Sequence, residues 1–120
     1  MQRFKNLTIW QKSHALALQI YRVTETFPER EQYALTAQLR RTAVSIPSNI
    51  VEGTARGSDR EAARFLRIAR GSAAEMHCQL LLAQDLGFVS EADCERLTEA
   101  AEEIRKLLTG FIKRLSPSTG

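Results

Sequence analysis

The sequence predicts an all-α protein: an antiparallel, up-down-up-down four-helix bundle in a single domain spanning residues 1–120. Three observations predict it. Apolar residues recur three and four positions apart along most of the chain, the spacing of a helix with one buried stripe. No segment alternates apolar and polar residues as a half-buried strand would. The breaker residues fall in short clusters, leaving helical stretches near 8–27, 29–56, 59–86 and 91–115, and short turns make successive helices antiparallel. With 43% hydrophobic and 26% charged residues, a chain of 120 has enough apolar side chains for a core without disulfide or metal staples.

The first helix has Thr8 as its expected cap and no breaker between Lys12 and Thr26. Ile9, Leu16, Ile20, Val23 and Phe27 make one stripe, with Trp10, Ala17, Tyr21 and Thr24 beside it, together a wide buried face. Phe27-Pro28 ends it, since a residue before proline is pushed out of helical geometry. Pro28 suits the first turn of the second helix, with Glu29 and Glu31 at its positive end. Leu35, Leu39, Ala43, Ile46 and Ile50 form its core stripe. Pro47 interrupts that helix, at a cost of about 3 kcal/mol. The apolar stripe stays in phase to Ile50, so a kinked helix is expected rather than two helices.

Gly57 is read as a left-handed stop. Ser58-Asp59-Arg60-Glu61 is a capping-box pattern that opens the third helix. Its core stripe is Ala62, Phe65, Leu66, Ala69, Ala73, Met76, Leu80 and Ala83. Gly71, Ala73 and Ala74 are small enough to let a neighbouring helix come close. Gly87 ends the helix, with Phe88 folding back after the cap. Ser90 caps the fourth helix, whose stripe is Leu97, Ala101, Ile104, Leu108, Phe111 and Leu115. Glu102 and Lys106 are a supporting pair four residues apart. Residues 1–7 read as a basic lead-in and 116–120 as a frayed tail.

Several function classes drop out. No apolar run approaches the length of a membrane span, so no membrane partner is expected. The N-terminus lacks the apolar core of a secretory signal. Cys78 and Cys94 both fall in predicted helix and read as reduced, buried small hydrophobes, which points to the cytoplasm. His14 and His77 have no metal-ligand spacing. There is no nucleophile triad, no phosphate-cradling glycine loop and no inward carboxylate-x-x-His pattern. No enzymatic activity, metal or cofactor is therefore expected.

Two constellations remain. Arg60, Arg64, Arg67 and Arg70 recur at helical spacing on the third helix, with Arg56 just before it. Such a stripe can track a phosphate backbone, because each guanidinium forks onto two oxygens. The competing reading is a solvated face balanced by Glu61 and Glu75; no aromatic residue is expected among the arginines to stack on bases. The second constellation is on the second helix. Ala34, Ala37, Val44, Val51 and Ala55 make an extra apolar face, which one bundle has no need of. Beside it run Arg41, Ser45, Ser48, Asn49 and Glu52. Glu52 suits either an acid–base site or a network of salt bridge and hydrogen bonds with Arg41, Ser45, Ser48 and Asn49 between helices or subunits. The stretch has no His, Cys or Lys to complete a catalytic set, so the network is the reading adopted. Arg41, Val44, Ser45, Ser48, Asn49, Val51, Glu52 and Ala55 are thus the expected interface of a homo-oligomer.

Net charge is +3 but unevenly spread: residues 1–70 hold 12 Lys and Arg against 6 Asp and Glu, residues 71–120 hold 5 against 8. The asymmetry suits an acidic partner for the first half, or subunits packing plus against minus.

Gln38-Leu39-Arg40-Arg41-Thr42-Ala43-Val44 followed by Ser45-Ile46-Pro47-Ser48-Asn49-Ile50-Val51-Glu52-Gly53 resembles the signature of the bacterial four helix bundle protein family, also called the 23S rRNA intervening-sequence protein family. Trp10, Phe27-Pro28, Phe65-Leu66-Arg67-Ile68-Ala69-Arg70-Gly71-Ser72 and Leu86-Gly87-Phe88 agree with it, so the resemblance covers roughly residues 4 to 115. Arg41, Ser45, Ser48, Asn49, Glu52 and Gly53 match signature positions, and Val51 stands where alanine is commoner. The resemblance implies a four-helix fold, a ring-like pentamer as first guess at copy number, and a link to RNA or other nucleic acid through relatives that work with a reverse transcriptase. The expected function is a non-enzymatic, oligomeric binding protein with a basic surface for RNA or DNA. The alternative is a scaffold or protein-partner module in which Arg60 to Arg70 pair with the acidic fourth helix of a neighbour.

Overall fold

A computed structural model describes residues 3–115. After a 3-10 turn at Arg3–Asn6 come four helices: α1 (Thr8–Thr24), α2 (Leu35–Thr54), α3 (Asp59–Asp85) and α4 (Glu91–Leu115). Among the described residues there is no strand. α1 packs on α2 and α4, and α3 packs on α2 and α4, so α1 and α3 face each other diagonally. The expected basic lead-in falls partly, and the expected frayed tail wholly, outside the described residues.

The core is the set of stripes the periodicity dictates. Leu16 and Ile20 of α1, Leu39, Ile46 and Ile50 of α2, Met76 and Leu80 of α3, and Leu97, Ile104 and Leu108 of α4 are the large side chains sealed inside. Burying each stabilises the fold by about 1.5–3 kcal/mol before the entropy of ordering the chain is counted. Two core hydroxyls satisfy themselves on their own helix: Ser13 Oγ donates to the Ile9 carbonyl (2.6 Å), and Thr42 Oγ1 to that of Gln38 (2.9 Å).

Serines set two helix starts as expected. Ser58 Oγ accepts from the Glu61 amide (3.2 Å) and Ser90 Oγ from the Asp93 amide (3.1 Å). α3 ends as a full left-handed cap on Gly87 (φ 80°): the Phe88 amide donates to the Ala83 carbonyl (2.9 Å) and the Gly87 amide to that of Gln84 (2.9 Å). Phe88 then meets Phe27 with ring centroids 5.6 Å apart.

Other boundaries differ from expectation. Leu7, not Thr8, occupies the cap of α1, and no side chain caps that end. α1 stops at Thr24, where its last turn tightens so that the Phe27 amide bonds the Thr24 carbonyl (3.1 Å). The second helix does not start at residue 29. Glu29–Glu31 form a 3-10 turn, and a Glu31 carboxylate oxygen takes the Leu35 amide (3.3 Å), so the side chain itself fixes the new start. Tyr33 between them is 89% exposed. Pro47 lies within an unbroken α2 and is buried, so the alternative of two separate helices does not hold. Gly57 has no left-handed backbone; its expected stop is a run of tight turns after Thr54.

The buried faces of α3 and α4 are rotated slightly from expectation. Ala63 replaces Ala62 and Phe65, which are half-buried, and Cys94 and Ile112 replace Phe111 and Leu115. Cys94 is buried and its thiol points to the Leu80 carbonyl (3.5 Å), whereas Cys78 is exposed, against expectation. Glu102 pairs with Arg105 rather than Lys106: Arg105 Nε lies 3.0 Å from both carboxylate oxygens. That hydrogen bond holds the Glu102 carboxyl below the usual carboxylate range. Its small contribution is therefore present near neutral pH and lost as the solution is acidified through that lowered value.

Candidate functional site

Sequence patterning aligns the five arginines, but the structure gives them three different surroundings. Arg56 forms an ion pair with Glu52 and lies over the Phe65 ring, 4.5 Å from its centroid. Arg64 lies over the same ring at 5.1 Å and reaches Glu61 at 3.7 Å. Phe65 is thus the aromatic member of an arginine cluster, a role missed by assigning it to the core. The signal that could have found it is its position at the edge of the apolar stripe, next to Arg64 in sequence. Each such stack contributes about 0.5–1 kcal/mol at an exposed site. Arg70 is half-buried and turns toward α4, where Nη1 lies 3.4 Å from Thr109 Oγ1. Among the described residues Arg60 and Arg67 are exposed and make no ion pair. The stripe therefore presents two unengaged guanidiniums and two braced on Phe65, with Arg70 held aside.

The expected Glu52–Arg41 network is not formed within the chain. The two residues are eleven apart on one helix, about 16 Å along its axis, so they cannot meet. Glu52 takes Arg56, one turn on, instead. The hydroxyls point elsewhere. Ser45 Oγ lies 2.8 Å from Ser72 Oγ on α3, and Asn49 Nδ2 donates to the Ser45 carbonyl (2.8 Å) and hydroxyl (3.1 Å). Ser45, Arg41, Ser72, Glu75 and Gln79 line a polar groove of about 460 Å³ between α2 and α3. Gln79 Oε1 is buried there without a hydrogen-bond partner.

Val44, Pro47, Ser48, Val51 and Glu52 line a different groove, between α2 and α1, of about 690 Å³. Its other wall is Trp10, His14, Ala17, Leu18 and Tyr21, and Phe4 also lines it. Val44 is 42% exposed, Leu18 45% and Tyr21 41%. The Trp10 ring stacks on the His14 imidazole (4.7 Å, 15°) and meets Phe4 edge-on (5.1 Å). The eight expected interface residues thus divide: Val44, Ser48, Val51 and Glu52 line the apolar groove, Arg41 and Ser45 the polar one, Asn49 is tied to Ser45, and Ala55 is exposed beyond both. Sequence reasoning missed that α1 supplies half of the apolar groove, because Trp10 and Tyr21 were assigned to the core. Arg40 holds that wall in place: its Nε donates to Thr24 Oγ1 (2.8 Å) and its guanidinium lies 4.7 Å over the Tyr21 ring.

Among the described residues no three His, Cys, Asp or Glu side chains gather to hold a metal ion, and no helix is long and apolar enough to cross a membrane. Chemically, the first surface presents guanidinium donors and the second an open, largely apolar trough.

The family described as 23S rRNA-intervening sequence protein matches residues 5–110. A crystal structure of a protein of unknown function from the S23 ribosomal protein family of Bacteroides thetaiotaomicron superimposes with a TM-score of 0.80 at 27% identity, covering 88% of this chain and 99% of that one. No curated protein matches.

Proposed function

The chain belongs to the 23S rRNA-intervening sequence protein family, and from that premise we propose that it is a non-enzymatic, self-assembling scaffold of the cytosol that holds RNA or DNA on the outer arginines of α3. In this reading the four helices alternate in direction and α2 bends at Pro47. Copies meet through the groove between α1 and α2, with a pentameric ring as the first assembly to look for.

The observation that carries the nucleic-acid reading is the arginine cluster. Arg60 and Arg67 are exposed and without ion pairs among the described residues, and Arg56 and Arg64 are braced on Phe65. A guanidinium held over a ring keeps donors for phosphate and loses less freedom on binding. The 23S rRNA in the family's name favours RNA as the polymer. The apolar groove, with Val44 and Leu18 open to solvent, favours assembly.

The test is the salt dependence of RNA binding. Four arginines on four phosphates of a single strand predict an affinity loss of roughly fiftyfold between about 50 and about 200 mM salt. Replacing Arg60 and Arg67 together by alanine should make the log–log slope shallower by about 1.4. Fluorescence anisotropy of a labelled single-stranded RNA reads both. No binding at the lowest salt ends the nucleic-acid reading and leaves a scaffold that works through protein contacts alone.

A further inference from the structure

The polar groove between α2 and α3 is built in rungs, each with one side chain from either helix. Ser45 and Ser72 make the first, their hydroxyls 2.8 Å apart. Arg41, one turn back along α2, and Glu75, almost one turn on along α3, make the second, about 6 and about 4.5 Å along their axes. Gln38 and Gln79 make the third, each two turns from its serine. The first rung is satisfied within the chain and the others are not. Among the described residues Arg41 and Glu75 make no ion pair, with each other or elsewhere. Gln79 Oε1 is buried and accepts nothing. A buried acceptor left unpaired is costly, so a group that donates to it from within the groove binds with that advantage.

At about 460 Å³ the groove is within the size range of small-molecule sites. One wall offers a fork of donors, the other a fork of acceptors, and a further acceptor lies at depth. Guanine answers all three. Its O6 and N7 are neighbouring acceptors that fit an arginine fork. Its N1–H and 2-amino group are parallel donors that fit a carboxylate, and the amino group has a second hydrogen for Gln79. Adenine, cytosine and uracil lack two neighbouring donor groups to set against Glu75. The N1–H edge is open only in an unpaired base, the form in which RNA sequence is read.

The groove also lies where a strand on the arginines would pass. At about 100° per residue, Glu75 falls within about 20° of Arg64 around α3 and about 16 Å further along it. A carboxylate there repels phosphate but accepts from a base.

We infer that this groove takes one unpaired guanine, with Arg41 on O6 and N7, Glu75 on N1–H and the 2-amino group, and Gln79 beneath. The site rests on the reading that α3 holds RNA, and it adds which base that RNA offers. A free guanine nucleotide carries the same edges and is the other source.

Anisotropy of short labelled strands tests it: oligouridine alone, or with one central guanosine, adenosine or inosine. The guanosine strand should bind roughly tenfold tighter than oligouridine. Adenosine should give no such gain, and inosine, which lacks the 2-amino group, should lose most of it. Glu75→Gln and Arg41→Ala should each remove the gain. Both positions are exposed, so circular dichroism should be unchanged, and the inosine strand puts the same question to the unaltered protein. Saturation-transfer NMR with guanosine and adenosine monophosphates examines the other source. Guanosine monophosphate bound and adenosine monophosphate not, without preference among strands, supports the site and assigns it to a free nucleotide. Strands bound equally and guanosine monophosphate unbound overturn the guanine site and leave the RNA reading standing. No strand bound at the lowest salt ends the RNA reading, and guanosine monophosphate then decides the site by itself.

Discussion

Replacing Ile46 by alanine should lower the unfolding free energy by about 2–5 kcal/mol. Ile46 is completely buried, one of the large side chains of α2 at the centre of the bundle. Its deletion removes the transfer energy of three carbons and leaves a hole that neighbouring helices only partly close. Against a typical total of about 5–15 kcal/mol, that is a large share. Urea unfolding should show a lower midpoint with an unchanged slope. Wild type and variant must be compared at one protein concentration, because assembly adds to apparent stability. Val44, two residues earlier, makes the contrast: its Glu variant should keep the urea midpoint of a lone chain.

The second large effect is expected at Gly53, the last residue of the stretch that carries the family resemblance. Gly53 is buried where α2 and α3 converge. A Cβ built there would sit 3.2 Å from the Ala62 carbonyl oxygen and 3.5 Å from a Leu66 methyl. The first neighbour is backbone and cannot rotate away. Leucine is the better helix former by nearly 1 kcal/mol, so propensity alone predicts a more stable protein. Packing predicts the reverse, a net loss of about 1–3 kcal/mol as α3 is pushed off α2. A raised melting temperature for Gly53→Leu would mean that the two helices have more room than the 3.2 Å approach allows.

Much of the fold was legible because helical periodicity is strong and local. Leu39, Ala43, Ile46 and Ile50 fall on one line in the sequence and are all buried. Ser58 and Ser90 announce their helices because an N-cap acts within three residues. The junction before α2 was not legible. There a glutamate reaches forward to cap Leu35, so a segment with no breaker still breaks. Nor could periodicity say how far α3 is rotated, and that rotation decides whether Phe65 joins the core or lies under two arginines. The surfaces were half legible. α2 advertises its spare apolar face through Val44 and Val51, but the opposing wall comes from α1, and pairing across helices is written in no single segment.

Trp10 is the chain's one tryptophan, and it stands in the wall of the groove with its ring against His14. Nature has therefore fitted this surface with its own dye. Whatever settles into the trough strips water from the indole and moves its emission toward the blue, while every other region of the molecule stays dark at that wavelength. A cuvette and an unlabelled sample suffice to watch the trough fill.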